Sequence, residues 1–290
     1  MTTTEWMPSM THPDVLWDVD DATYFADATA NSQSMVKVHI ESPMLYHGRY
    51  ITGEFPPDPP GKALQAGSAL HLAVLQPDKF DAGVIAAPDC DRRTKAGKEL
   101  YAAFCEESAG KIVLSQDDYA NVRRMADGVF ASDMARGLLE HPRLTEQAFR
   151  WTDPASGLEL KAKLDILIPD AFDYALVLDI KSSKDPTPEK FAKSVCEYGY
   201  DIQEAFYKRA ASLFTGKPAV FAFVCIRSEP PFDCWVYQLS PQWQTAAELL
   251  LNTSLAALAD AYTTDYWLAP GQEVLTALEA PGWARNRLGI

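Results

Sequence analysis

The stretch LELKAKLDILIPDAFDYALVLDIKSS, Leu158–Ser183, decides how the rest of the chain is read. Two runs of strand-forming residues flank the loop PDAFDYA. Successive side chains of a strand point to opposite faces. Leu158, Leu160, Ala162, Leu164, Ile166 and Ile168 are therefore expected on one core-facing side, with Lys161, Lys163 and Asp165 on the other. In the second run Leu176, Leu178 and Ile180 point one way, and Val177, Asp179 and Lys181 the other. Pairing the runs through the loop brings Asp165, Asp179 and Lys181 onto one polar face. Two carboxylates held close repel each other, and a divalent cation between them makes the arrangement favourable. Hard oxygen donors with room for water suit Mg²⁺ or Mn²⁺, and the backbone carbonyl of Ile180 offers one more oxygen. Lys181, about 7 Å along the strand from Asp179, is placed to orient a water and to offset charge developing on a phosphate. Metal-assisted phosphodiester hydrolysis is the chemistry this pattern fits. Asp-x-Lys also describes a salt-bridged or solvated edge strand, the commoner meaning of the motif, so the context must decide.

Working outward, EQAFRWTD and the turn PASG complete an antiparallel hairpin with the first run. After the second run, TPEKFAKSV opens a helix with Thr187 as N-cap and Pro188 at its first position. IQEAFYKRAASLF continues as helix, AVFAFVCIRS and FDCWVYQLS are two further strands, and a helix from about Gln242 to Tyr262 follows. On the N-terminal side, the proline-rich EFPPDPPGKALQ is an extended connector into a helix that begins near Ser68 and is stopped by Pro77. Two longer helices are expected at Thr94–Ser108 and Gln116–Leu139, the second capped by Ser115. Helices, a three-strand meander, helix, two strands and a last helix predict an α/β fold, a mixed central sheet flanked by helices.

This order also places side chains. Gln203 and Tyr207, four apart, share one helical stripe, while Ile202, Phe206 and Leu213 form the apolar one. His71 sits on a helix whose Leu70, Val74 and Leu75 form the buried side. Each taken alone has an ordinary structural meaning.

A chain of 290 residues with 47% hydrophobic content can bury one large core. Residues 1–35 mix acids, Ser/Thr and isolated aromatics such as Trp6 and Trp17 without periodicity, which predicts a mobile or loosely docked acidic arm before a single domain at 36–290. The longest apolar run, AVFAFVCI, is far too short to span a bilayer, and MTTTEWMPSM lacks the layout of a secretion signal, so a cytoplasmic protein is expected. Five irregularly spaced cysteines predict reduced, mostly buried thiols. The net charge of −14 argues against nucleic acid on average. Yet no Lys or Arg precedes Lys37, whereas RRTKAGK, Arg92–Lys98, holds four bases and no acid. Arg92, Arg93, Lys95 and Lys98 are the first candidates for DNA backbone contacts, and Lys161 and Lys163 the next, although such a run also describes a solvated helix start.

The ordered series His71, Asp165, DIK at Asp179–Lys181 and QEAFY resembles the RecB-type branch of the PD-(D/E)XK nuclease superfamily. More closely, GSALHLAVLQPDKF, DRRTKAGKELYAAF, WTDPASGLELKAKLDILIP, LVLDIKSS and YGYDIQEAFY are similar to RecE-like (exodeoxyribonuclease VIII) exonucleases of phages and prophages, over roughly residues 36–287. The resemblance implies that Asp165, Asp179, the Ile180 carbonyl and His71 surround a Mg²⁺ or Mn²⁺ ion. It implies that Lys181 is the catalytic lysine and that Gln203 and Tyr207 hold the scissile strand and that lysine. It further implies a 5′-to-3′ exonuclease on double-stranded DNA ends that leaves 3′ overhangs for recombination by strand annealing. A RecT-type annealing protein would be its partner, and a homo-oligomeric ring, a tetramer or else a trimer, its assembly in a bacterial host. The cysteine spacing matches no Fe–S cluster of the RecB-type relatives, so none is expected. An endonuclease of the same fold and a non-catalytic DNA-end scaffold are the rival readings.

Overall fold

The structure is a computed structural model, and it describes residues 16–56, 61–269, 271–275 and 277–289. The strands are β1 (Leu16–Trp17), β2 (Val84–Ala86), β3 (Ile112–Leu114), β4 (Leu144–Thr152), β5 (Glu159–Ala171), β6 (Tyr174–Ser183), β7 (Ala219–Arg227) and β8 (Cys234–Tyr237). Six of them form one sheet in the order β1-β4-β5-β6-β7-β8, and β2 and β3 pair separately in parallel. Only β6 and β7 run parallel within the large sheet; its other pairs are antiparallel, which makes it mixed. A parallel pair needs a crossover, and the helices Pro188–Tyr198 and Tyr200–Thr215 supply it.

Apolar runs such as LVLDI and FAFVCI fit strands covered on both faces. One face packs helices Gln33–Glu41, Pro188–Tyr198, Tyr200–Thr215 and Pro241–Thr264 through Val36, Phe191, Phe206, Phe214 and Leu255. The other packs helices Lys62–Leu75 and Gln116–Ala131 through Leu70, Val74, Val122 and Val129. Phe149, Phe206 and Phe214 are essentially sealed from solvent, each contributing on the order of 2–3 kcal/mol relative to exposure. No helix among the described residues is long and apolar enough to cross a membrane.

The strands, the crossover and the final helix lie where the sequence pattern puts them; four expectations change. The helix carrying His71 begins at Lys62 rather than Ser68, because nothing in KALQA interrupts a helix once the prolines end. The expected helix 116–139 breaks at Ser132, whose hydroxyl accepts from the amide of Ala135 and starts a second helix. The cysteines are unpaired, but only Cys225 is buried, and Cys105 and Cys196 lie on exposed helix faces. Finally, the described part of the acidic leader is docked. Leu16 and Trp17 pair with Phe149 and Ala148, Tyr24 is buried, and Asp20 caps the helix Asp21–Ala26 at 2.7 Å from the amide of Thr23. Residues 1–15, including Trp6, lie outside the described residues.

One irregularity in the sheet creates the site. Leu160, Ala162 and Leu164 face the first core as expected, but Ile166 and Ile168 face the second. The alternation slips at Asp165. On the β4 side, Thr145 pairs with Ile166 and Gln147 with Leu164, leaving Glu146 between them at φ 53°. On the β6 side the ladder reaches only to Ile166 opposite Leu178, and beyond it the Asp165 carboxylate takes the amide of Ile180 at 2.9 Å in place of a backbone partner. The β4/β5 register is the same on either side of this point, so the side chains are re-aimed without an inserted residue.

Candidate active site

The opened strands bound a cleft of about 640 Å³. Among the described residues it is lined by His71, Glu146, Asp165, Asp179, Lys181, Gln203 and Tyr207, with Lys161, Lys163 and leader residues at its wall. All six side chains assigned to catalysis or metal binding from the sequence therefore meet there.

Four elements hold them. From the helix Lys62–Leu75, His71 places Nε2 2.9 Å from the Ile180 carbonyl oxygen and Nδ1 3.4 Å from Asp165 Oδ1. The carbonyl assigned as a metal ligand thus has one lone pair engaged and one remaining. From β6, Asp179 is buried; its Oδ1 accepts from Gln203 Nε2 at 2.6 Å, and its Oδ2, which accepts no well-formed hydrogen bond, is ion-paired with Lys181. Lys181 Nζ lies 4.8 Å over the ring of Tyr200, a cation–π contact that fixes its other side. Tyr207, one turn beyond Gln203, is buried and hydrogen-bonded to it.

Burial and mutual charge set the protonation states. Burial raises the Asp179 carboxyl to about 6, against the pull of Lys181 and with the push of Asp165. Burial also acts on Asp165, but His71, Lys181 and the Ile180 amide outweigh it and leave that carboxyl below its ordinary range. Burial would lower His71, yet the Asp165 charge and hydrogen bond win and raise it to about 9. Lys181 likewise resists burial because Asp179 and Asp165 hold it above the usual ammonium value. Lys181 is therefore a charged donor at neutral pH, suited to stabilising an anion and unsuited to accepting a proton.

Glu146 was not singled out by the sequence pattern. Its Oε1 lies 3.9 Å from His71 Nδ1, its Oε2 2.7 Å from Lys163 Nζ, and burial followed by the Asp165 charge raises its carboxyl. Its left-handed backbone costs a non-glycine residue about 1–3 kcal/mol. The only signal in the sequence is an acid in the middle of the strand LTEQAF, with nothing to show which way it points. Ligand atoms of His71, Glu146 and Asp165 lie within 4.8 Å of one another. Carboxylate oxygens, one imidazole nitrogen and a nearby carbonyl form a donor set that fits a hard divalent cation.

The DNA-contact candidates divide. Lys161 is 2% exposed, and its ammonium donates to the carbonyls of Tyr24, at 2.6 Å, and of Asp27. Lys163 bridges Asp21 and Glu146, both at 2.7 Å. Both strand lysines are thus spent inside the protein, and the assignment of Lys161 to a DNA backbone is corrected. Apart from Glu146, their partners lie in the acidic leader, more than 130 residues upstream. Arg92, Arg93, Lys95 and Lys98 are exposed at the start of the helix Lys95–Glu107, and none of them lines the cleft. Arg92 stacks 3.6 Å over Tyr101, Arg93 pairs with Asp91 and Lys95 lies 3.9 Å from Glu99.

No curated protein matches this chain. Among solved structures, one named "Putative exonuclease" from Eubacterium rectale is similar over 93% of this chain and 98% of its own, with a TM-score of 0.62 at 12% identity. A second, SSO0001, covers 70% of this chain and 84% of its own with a TM-score of 0.29 at 12% identity. The first likeness establishes the shared fold. The family model of the PDDEXK-like domain of unknown function (DUF3799) matches residues 32–269, a span that contains every cleft residue from His71 to Tyr207. The chain belongs to that PDDEXK-like family, within the PD-(D/E)XK nuclease superfamily.

Proposed function

We propose that this chain is a divalent-metal-dependent deoxyribonuclease that degrades duplex DNA from its ends. The observation that carries the reading is the joining of Asp165, Asp179 and Lys181 across the opened β5/β6 pair, with His71 on one side and Gln203 on the other. A divalent cation held by Asp165, Asp179, the Ile180 carbonyl and His71, once His71 gives up its Nδ1 proton to the incoming ion, would supply Lewis-acid polarisation of the phosphate and acidify a water. The chain's own residues do the rest. Lys181 donates to a non-bridging phosphate oxygen and offsets the charge that grows as the water oxygen bonds to phosphorus and the bond to the departing strand breaks. Asp179 keeps Lys181 aimed. Gln203 fixes the opposite oxygen of Asp179, and Tyr207 restrains Gln203. The water's proton leaves to solvent.

The finer features rest on the resemblance of the five sequence blocks to RecE-like enzymes, and on the name of the Eubacterium rectale protein as an exonuclease. They are 5′-to-3′ polarity, 3′ overhangs made for a RecT-type annealing partner, a tetrameric or trimeric ring around the duplex, and action in the cytoplasm of a bacterial host. Linear duplex labelled at the 5′ or the 3′ end, beside covalently closed circles, tests them. Loss of the 5′ label as mononucleotides with intact circles is expected with Mg²⁺ and not with chelator. Nicked or linearised circles would establish an endonuclease instead.

A further inference from the structure

Three carboxylates in the cleft, the buried Asp165 and Asp179 and the half-buried Glu146, share one arrangement: one oxygen is anchored by the protein, and the other faces a nitrogen of the cleft. Asp165 gives Oδ2 to the Ile180 amide at 2.9 Å and turns Oδ1 toward His71 Nδ1 at 3.4 Å. Asp179 gives Oδ1 to Gln203 at 2.6 Å, and its enclosed Oδ2 is met by the Lys181 ammonium without a hydrogen bond of good geometry. Glu146 does the same from β4: Lys163 holds Oε2 at 2.7 Å, while Oε1 faces the same Nδ1 at 3.9 Å, too far for a hydrogen bond.

Two acids converging on one histidine nitrogen from opposite strands repel each other, and the fold holds them there all the same. Glu146 is kept in the gap of the β4/β5 register, in a left-handed backbone that aims it inward. Anchoring one oxygen of a ligating carboxylate while leaving the other free is how proteins orient metal ligands. We infer that Glu146 is a further oxygen ligand of the divalent cation at the His71–Asp165 site, reaching it from the strand opposite Asp179. The inference deepens the metal-dependent reading above and rests on it. With Glu146 the ion has carboxylate ligands from both strands flanking β5, so its position is fixed across the opened pair and not from β6 alone.

Titration calorimetry of the full chain with Mn²⁺, without DNA, tests it, with melting in chelator as the check on folding. Asp165→Asn is expected to abolish measurable binding. Glu146→Gln is expected to weaken it roughly tenfold or more, and the shorter Glu146→Asp should also weaken it while keeping the charge. In a Mn²⁺-soaked crystal of the unaltered chain, the anomalous peak should lie about 2.0–2.6 Å from Glu146 Oε1. Unchanged affinity in a folded Glu146→Gln variant, or a manganese bound by Asp165 but beyond about 3.5 Å from Glu146, would overturn the inference and leave the metal site standing. Unchanged affinity in Asp165→Asn would overturn the metal-dependent reading itself. Should both Glu146 variants fail to fold, the crystal of the unaltered chain decides.

Discussion

Gln203 and Glu204 are consecutive on the helix Tyr200–Thr215 and both are buried, yet they stand in opposite kinds of surroundings. Gln203 enters the cleft and meets Asp179 on one strand and Tyr207 on its own helix. Glu204 turns away toward the helix Pro241–Thr264, where both carboxylate oxygens lack a hydrogen-bond partner. The nearest cation, Lys208, is 3.8 Å away and donates to Gln244 instead. A buried acid is therefore no marker of chemistry by itself. The cleft is set apart by convergence: groups from two helices and three strands present oxygens, nitrogens and an ammonium to one point. Glu204 has burial alone, and burial raises its carboxyl to about 7.

The largest effect that sharpens this contrast is at Lys181. Lys181→Ala should cut turnover of linear duplex by roughly 10³-fold with DNA binding retained, as measured by nucleotide release and by filter binding. Gln203→Ala should follow, lowering kcat by roughly 10–100-fold through a loosened Asp179, with little change in KM. Near-normal kcat in that variant would break the claim that the two neighbours differ in function.

These two positions also show what the sequence could reveal. Strand alternation predicts the shared face of Asp179 and Lys181, and four-residue spacing predicts Gln203 above Tyr207, because both follow from local backbone geometry. Glu146 escaped that logic. Its direction depends on a left-handed backbone in mid-strand that breaks the in-out alternation, and beyond that point Ile166 and Ile168 change faces as well. The strand lysines were misread for a related reason. Lys161 and Lys163 looked like free charge on a polar face, but their partners are Tyr24, Asp27 and Asp21, distant in sequence and folded onto the same sheet. A leader with six acids and no base before Lys37 was the available sign that something basic would meet it.

The basic residues form a second contrast, between charge used inside and charge left outside. Replacing Arg92, Lys95 and Lys98 together by Ser should weaken duplex binding and flatten its salt dependence by up to about 3 in the slope of log K against log salt. An unchanged slope would mark RRTKAGK as an ordinary solvated helix start.

The smallest effect belongs to Glu204. Its carboxyl rises from 4.5 to about 7 on folding, so the folded state binds the extra proton and stability falls as pH rises through that window. Glu204→Gln removes that cost. The variant should melt several degrees higher at pH 8, corresponding to on the order of 2–3 kcal/mol, gain little at pH 4.5, and leave kcat unchanged. Equal gain at both pH values would show that the carboxyl is ionised in the folded protein at either pH.

The central claim, that the opened β5/β6 pair holds a divalent cation and cuts DNA through it, is tested most directly by duplex hydrolysis across a Mg²⁺ series, comparing the unaltered chain with Asp165→Asn. The account predicts release of nucleotides that rises with Mg²⁺ in the unaltered chain and none from the variant at any concentration. Equal release by the two proteins, or release in the unaltered chain that ignores Mg²⁺ and chelator alike, would contradict it.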